Sequence, residues 1–291
     1  MDRPVLALDT SSLFFRAQHA LPPMNTSRGE PTRALYGFSA LLVKLLREQN
    51  PVGLVLALDA PQPTFRHERD SAYKGTRGAP PSELRQQWPR LEQLIEALGV
   101  PAFRVPGFEA DDVLATVARR LRERGQPVVV VSGDRDLMQT ALPPVEVLFV
   151  GRRGQPGERY DRAAVEARFG VGPERLASYA ALVGDTSDNI AGVSGIGPRA
   201  AAKLVREFGD VAGILQHADA IEPARLRELV LGARQQLIDN EALTRLHDDV
   251  PLPEVDLYRS VDAAAHERLK AIFEELEFRS LLPRLAKLSA N

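Results

Sequence analysis

The 291-residue chain contains no cysteine, which rules out disulfide staples and thiolate metal sites and fits a reducing compartment. No apolar run approaches the roughly 18 consecutive residues of a membrane-spanning helix. The opening Met1-Asp2-Arg3-Pro4 lacks the basic and then apolar stretches of a secretory leader. A soluble, cytoplasmic protein with no membrane partner is therefore expected, and the sequon Asn25-Thr26-Ser27 carries no weight. There is little net charge, −2 in all, yet nine of the 39 acids fall in short motifs; setting these aside leaves 30 acids against 37 Lys and Arg, a remainder of +7. A basic body around a compact acidic cluster suits a metal-using enzyme that acts on a polyanion. On charge alone an ordinary mixed surface serves as well. Internal repeats are absent, and 44% hydrophobic residues suffice for one large or two smaller cores.

Strand-length apolar runs alternate with helical periods, predicting an α/β fold with a central, mostly parallel sheet flanked by helices. Val5 to Leu8 ends at Asp9, Gly53 to Leu58 ends at Asp59, and Val128 to Val131 leads through Ser132-Gly133 to Asp134. Ligand crevices of such sheets lie beyond the carboxyl ends of strands, so these aspartates are candidates to converge. Arg33 to Gln49 and Gln87 to Gly99 read as scaffold helices. Pro61 to Pro81 is polar, broken by Gly and Pro, and carries Arg66, His67, Arg69, Lys74 and Arg77 around Phe65 and Tyr73; it reads as a mobile basic segment. Beyond about Tyr160 the strand signal fades into short helices. The expected division is an α/β core over 1–160, with the basic segment at about 61–88, and a helical region over 161–291.

Phe108-Glu109-Ala110-Asp111-Asp112 opens a helix with the apolar stripe Val113, Leu114, Val117 and Leu121. Helix capping explains one or two of its acids, but three within four residues repel one another and call for a counter-charge nearby. Glu109 and Asp112, at i and i+3, share a face. Asp134 and Asp136 follow a run of four valines, and Gly184-Asp185-Thr186-Ser187-Asp188-Asn189 adds two acids that could equally cap a helix. Carboxylates without cysteine, and with five scattered histidines, suit Mg²⁺ or Mn²⁺ rather than zinc. Two such ions about 4 Å apart can activate a water and stabilise the departing oxygen of a phosphodiester.

In Gly192-Val193-Ser194-Gly195-Ile196-Gly197-Pro198, leading into Arg199-Ala200-Ala201-Ala202-Lys203, two glycines bracket an apolar residue. Such a hairpin over about 174–209 can bring bare amides to a phosphate at the next helix start. A structural turn is the alternative. The string loosely matches a dinucleotide fingerprint, but it follows a polar loop instead of a strand. Arg199 and Lys203 would add charge without base specificity.

Taken in order, Asp9, Asp59, FRHERDSAYKGTR, FEADD, SGDRD, GDTSDN and GVSGIGPRAAAKL resemble the 5′ nuclease, or flap endonuclease, family, most of all its bacterial members, including the 5′–3′ exonuclease domain of DNA polymerase I. The resemblance runs from about Leu6 to Leu282 and departs at Thr10, where many bacterial members have glycine. It implies a PIN-like fold with a helix-hairpin-helix region and two metal sites. One site would draw on Asp9, Asp59, Glu109, Asp111 and Asp134, shared by Asp112 and Asp136, and the other would be completed by Asp185 and Asp188. It further implies an arch or clamp in which Lys74 and Arg77 contact the scissile phosphate, with Asp134 at the chemistry, Tyr73 stacking on a base, and Arg16 and Arg66 as strand contacts. The hairpin would grip duplex through Gly195, Gly197, Arg199 and Lys203 and hold K⁺ on the backbone at Val193 and Ile196. A monomer, stand-alone and nucleoid-associated, would act on branched or nicked DNA, including RNA–DNA hybrids at primers. Two other classes remain: a non-catalytic binder of branched DNA, and a phosphatase for small metabolites, which leaves the hairpin and basic segment unexplained.

Overall fold

The three apolar runs that end at aspartates lie side by side. The computed structural model describes residues 3–151 and 157–288; Met1 and Asp2 of the amino-terminal stretch read above lie outside them. Six strands, β1 (Val5–Asp9), β2 (Gly53–Ala57), β3 (Ala102–Phe103), β4 (Val128–Ser132), β5 (Val145–Phe149) and β6 (Glu158–Tyr160), form one sheet in the order β3-β2-β1-β4-β5-β6. Within this sheet, among the described residues, β5 and β6 pair antiparallel and the other neighbours parallel. Val5 stands opposite both Gly53 and Val128, so the central strands finish at one edge. Every residue of β1, β2 and β4 is buried, as unbroken apolar runs require when both faces are covered.

Alternate strand residues feed two cores. Leu6, Leu8, Leu54, Leu56, Val129 and Val131 pack with α1 (Thr10–Ala20), α2 (Arg33–Gln49) and, beyond the short α3 (Phe65–Arg69), α4 (Ser82–Leu98). Val5, Ala7, Val55, Ala57, Val128 and Val130 face α5 (Ala110–Arg122), whose Val113, Leu114, Val117 and Leu121 are fully buried. Helix α4 starts at Ser82 rather than Gln87, because Leu84 joins Leu91, Leu94 and Leu98 in the core; its stop at left-handed Gly99 is as expected.

The rest is helical: α6 (Arg162–Phe169), α7 (Leu176–Val183), α8 (Pro198–Phe208), α9 (Val211–Gln216), α10 (Ala224–Gly232), α11 (Arg234–Thr244), α12 (Ala263–Glu275) and α13 (Leu282–Ala286). A two-residue ribbon, Gly184–Asp185 with Ile190–Ala191, closes the loop carrying the last acids. Leu269, Phe273 and Leu285 return to the core under α2 and α4. Among the described residues, no helix is long and apolar enough to cross a membrane.

Candidate active site

Asp9 ends β1 and caps α1, accepting the Ser12 N–H at 3.1 Å on one oxygen and the Ser132 hydroxyl at 2.6 Å on the other. Asp59 lies just past β2. Its carboxylate accepts the N–H of Ala110, the first residue of α5, at 3.0 Å, and its own N–H donates to Ser11 Oγ. Asp134 follows β4, with its N–H on Ser132 Oγ at 2.9 Å and its carboxylate accepting the Asp136 N–H at 3.1 Å. These three and Glu109, Asp111 and Asp185 line one open cleft of about 1110 Å³, with Lys74, Arg77, Phe15, Arg16, Leu84 and Trp88. Six of the nine acids named from sequence thus share the carboxyl edge of the sheet.

The other three lie off the cleft lining. Asp188 is buried and accepts from Arg77 at 2.6 Å and from the Tyr73 hydroxyl at 2.8 Å; Asp136 is half-buried beyond Asp134. Asp112 is a correction. It is fully buried, both oxygens accept from Arg66 at 2.7 and 2.8 Å, and it also receives the N–H groups of Glu109 and His247. A carboxylate so engaged caps α5 and anchors a cation, and it does not line the cleft.

Arg66 is the counter-charge that the acid-rich helix start required, and it is not a strand contact. It is 1% exposed, its Nε donating to the Leu243 carbonyl at 2.8 Å and its Nη2 to the Arg245 carbonyl at 3.0 Å. Tyr73 is a correction too: only 3% exposed, it offers no face to a base, and its hydroxyl bridges Asp188 and Glu109, the latter at 3.1 Å. The front of the basic segment is therefore strapped down. Lys74 carries on from there in a left-handed conformation, φ 53°, with its N–H on the Asp188 carbonyl and its ammonium 2.9 Å from Glu109 Oε1. That posture costs on the order of 1–2 kcal/mol and aims the charge at the acids.

Burial pushes the Asp9 carboxyl up to about 7, and the charges of Asp59 and Asp134 add to the rise, against hydrogen bonds from Ser132 and Ser12. Asp111 is raised well above its ordinary range by burial, then by Asp9 and Asp134; Asp136 by burial, then by Asp134, Asp188 and Asp185. Burial would lower the Lys74 ammonium, but Glu109 and Asp188 outweigh it and hold it above its usual value. Crowded carboxylates with too little cationic relief fit a hard divalent ion. Among the described residues no three acids already converge as a closed ligand set; their oxygens turn to Ser132, Tyr73, Lys74 and Arg77 instead.

A pH dependence follows. The Asp9 value in the fold, about 7, exceeds its ordinary 3.8, so its contribution to stability is complete below about 3.8 and is lost as pH rises through about 7. In chelator the melting temperature should drop roughly 2–4 °C between about pH 6 and pH 8, on the order of 1 kcal/mol. Mg²⁺ should reverse the drop. An Asp9→Asn variant melting with an unchanged pH slope would refute this assignment.

In the hairpin, Gly195 has φ 90° and Leu229 lies 3.1 Å from where its Cβ would stand, so both the twist and the space favour glycine. Ile196 and Val193 are buried anchors, and the Ile196 N–H closes the turn on the Val193 carbonyl at 3.0 Å. Gly197 precedes α8, Pro198 opens it, and Arg199 and Lys203 are exposed. Sequence reasoning missed Ser11, Ser12 and Ser132, which orient the aspartates, and Phe15 and Trp88, which wall the cleft. Serines beside the aspartates were a signal within reach; the aromatics had none.

Fold and site define an α/β protein with an acid-lined cleft at the strand ends and a hairpin-bearing helical region beside it. Family models for the 5′–3′ exonuclease N-terminal resolvase-like domain and C-terminal SAM fold match residues 4–170 and 171–267. DNA polymerase I of Bacillus caldotenax is 38% identical over 100% of this chain and 33% of its own length, and the thermostable DNA polymerase I of Thermus thermophilus 40% over 96% and 32%. The chain belongs to the 5′–3′ exonuclease family, and spans about a third of the length of the curated relatives it matches. Its fold is that of the bacteriophage T5 5′-exonuclease bound to zinc (TM-score 0.69, 24% identity, 94% of this chain and 99% of that one). It is likewise that of the T5 D15 flap endonuclease in a pseudo-enzyme-product complex with DNA and metal ions (0.66, 19%, 98% and 99%).

Proposed function

We propose that this chain is a structure-specific 5′ nuclease, hydrolysing DNA phosphodiesters at junctions of single strand and duplex, removing 5′ flaps and RNA primers in replication and repair. The observation that carries the reading is six carboxylates, from the ends of the central strands, the start of α5 and the Asp185 ribbon, gathered in one cleft and flanked by Lys74 and Arg77. The T5 flap endonuclease, solved with DNA and metal ions, supports it. Asp9, Asp59, Glu109, Asp111 and Asp134 would hold one Mg²⁺ or Mn²⁺, and Asp136, Asp185 and Asp188 a second. When bound, the ions supply the charge that activates water and steadies the departing oxygen.

The chain's own groups do the rest. Lys74, held above its usual value, stays charged at neutral pH; it clamps the scissile phosphate and is no proton shuttle. Arg77, exposed on one side and tied to Asp188 on the other, steers the same phosphate. Tyr73, raised by burial and then by Glu109 and Asp188, remains a neutral donor that keeps those two acids apart. The amides at Gly195 and Gly197, with Arg199 and Lys203, hold duplex backbone, and the backbone carbonyls of Val193 and Ile196 would hold K⁺. The protein acts as a monomer in the cytoplasm, at the nucleoid.

End-labelled flap, nicked, gapped and RNA–DNA hybrid substrates, each with Mg²⁺, Mn²⁺ or chelator, test this. Cleavage is expected near the junction of flap DNA with either metal and none in chelator. Selective binding with no cutting in either metal would leave a branched-DNA binder; turnover confined to small phosphomonoesters would leave a phosphatase.

A further inference from the structure

Cations and aromatic rings that the carboxylate chemistry does not use form a ladder on the β5–β6 side of the acids. The Arg16 guanidinium lies 5.7 Å from the centre of the Phe149 ring, and Phe149 meets Tyr160 edge to face at 6.5 Å. Arg168 stacks 5.2 Å over Tyr160 and 5.6 Å over Phe169. The rungs come from α1, β5, β6 and α6, so the ladder bridges the sheet and the helical region. Arg16, Phe149 and Arg168 line the cleft, as does the exposed Arg135.

Gly133 makes room for the first rung. A Cβ there would fall 1.5 Å from Arg16 Nε, and the Gly133 carbonyl accepts from the same guanidinium. Any side chain at 133 therefore evicts Arg16 from its seat. A planar guanidinium stacked on a ring is held at small entropic cost with its N–H edge outward, a geometry that matches phosphate oxygens.

Electrostatics supply the reason for a second wall. A polyanion laid across six carboxylates is repelled unless positive charge flanks it on both sides. Lys74 and Arg77 serve one side. On the other stand Arg16, Arg135 and Arg168 against one carboxylate, Glu158, 3.4 Å from Arg168. Half-buried Phe149 adds a surface on which an unpaired base can rest.

We propose that this ladder is a second strand-binding wall, taking the unpaired 5′ segment of a branched nucleic acid on the far side of the scissile phosphate from Lys74 and Arg77. The proposal rests on the nuclease reading above and names the part of the substrate that this wall recognises.

Two labelled DNAs with identical duplexes, one with a 5′ flap of about six nucleotides and one merely nicked, are titrated in chelator and read by fluorescence anisotropy. Arg168→Gln should weaken flap binding roughly five- to tenfold, leave nicked DNA within about twofold, and lower the salt slope by about one. Phe149→Leu keeps an apolar residue but removes the shelf under Arg16, and should show the same selectivity. Arg168→Lys, which keeps charge without the stack, should fall between. Equal losses on both DNAs, or none in variants that melt like the parent, overturn the ladder. A parent chain that binds flaps through it yet cuts nothing in Mg²⁺ or Mn²⁺ sinks the nuclease reading alone. A chain that cuts, with Arg168→Gln unaffected, sinks the ladder alone.

Discussion

Asp134→Asn is expected to slow cleavage of a 5′-flap substrate by at least about a thousandfold, the loss of several kcal/mol of charge stabilisation, while binding persists. The charge of Asp134 raises four other carboxyl groups, those of Asp9, Asp111, Asp136 and Asp188. An amide there keeps the shape and the bond from the Asp136 N–H, but removes charge where the two sets of acids meet. Removing that charge should also stabilise the metal-free protein and tighten its grip on DNA in chelator. Single-turnover rates at saturating enzyme, with anisotropy for binding, separate these effects. Unchanged turnover, or an effect confined to affinity, would remove Asp134 from the chemistry.

Arg66→Met is expected to destabilise the fold by about 3–5 kcal/mol, because it leaves Asp112 charged, buried and unpaired. Two carbonyls, of Leu243 and Arg245, lose their donor as well. Arg66→Lys should recover little, since an ammonium cannot make the paired contacts to Asp112 and reach both carbonyls. Arg66→Met combined with Asp112→Leu should regain much of the loss, because no lone charge remains. Urea unfolding of the three variants decides the matter. Unaltered stability with weakened DNA binding would return Arg66 to the role of a strand contact.

Asp9, Asp59 and Asp134 were legible because an unbroken apolar run is a buried parallel strand, and a charged residue at its end can only face the crevice. The start of α5 was half legible: three crowded acids demanded a cation, but nothing local says that it is Arg66, 46 residues away from Asp112. Nor does the sequence separate Asp111 from Asp112. Neighbours on a helix point about 100° apart, so one reaches the cleft while the other turns into the core, and which is which depends on how α5 sits on the sheet. Tyr73 and Arg66 were misread for a shared reason. A polar stretch broken by glycine and proline looks like a solvated loop, and burial through partners on α5, α11 and the Asp188 loop leaves no periodic trace. The ladder was invisible because its rungs come from four separate elements.

The strap around Arg66 also makes the molecule a calliper. Gln236 and Asn240 of α11 donate to the carbonyls of Ala191 and Gly192 that lead into the hairpin, and α11 ends at the Leu243 and Arg245 carbonyls that hold Arg66 against Asp112. One jaw is thus the hairpin and the other the start of α5, with a single hydrogen-bonded beam between them. On the proposed reading of the hairpin as the duplex grip, the span from it to the acids is set by the stretch of α11 between Gln236 and Leu243, at about 1.5 Å per residue, and not by the reach of a loop.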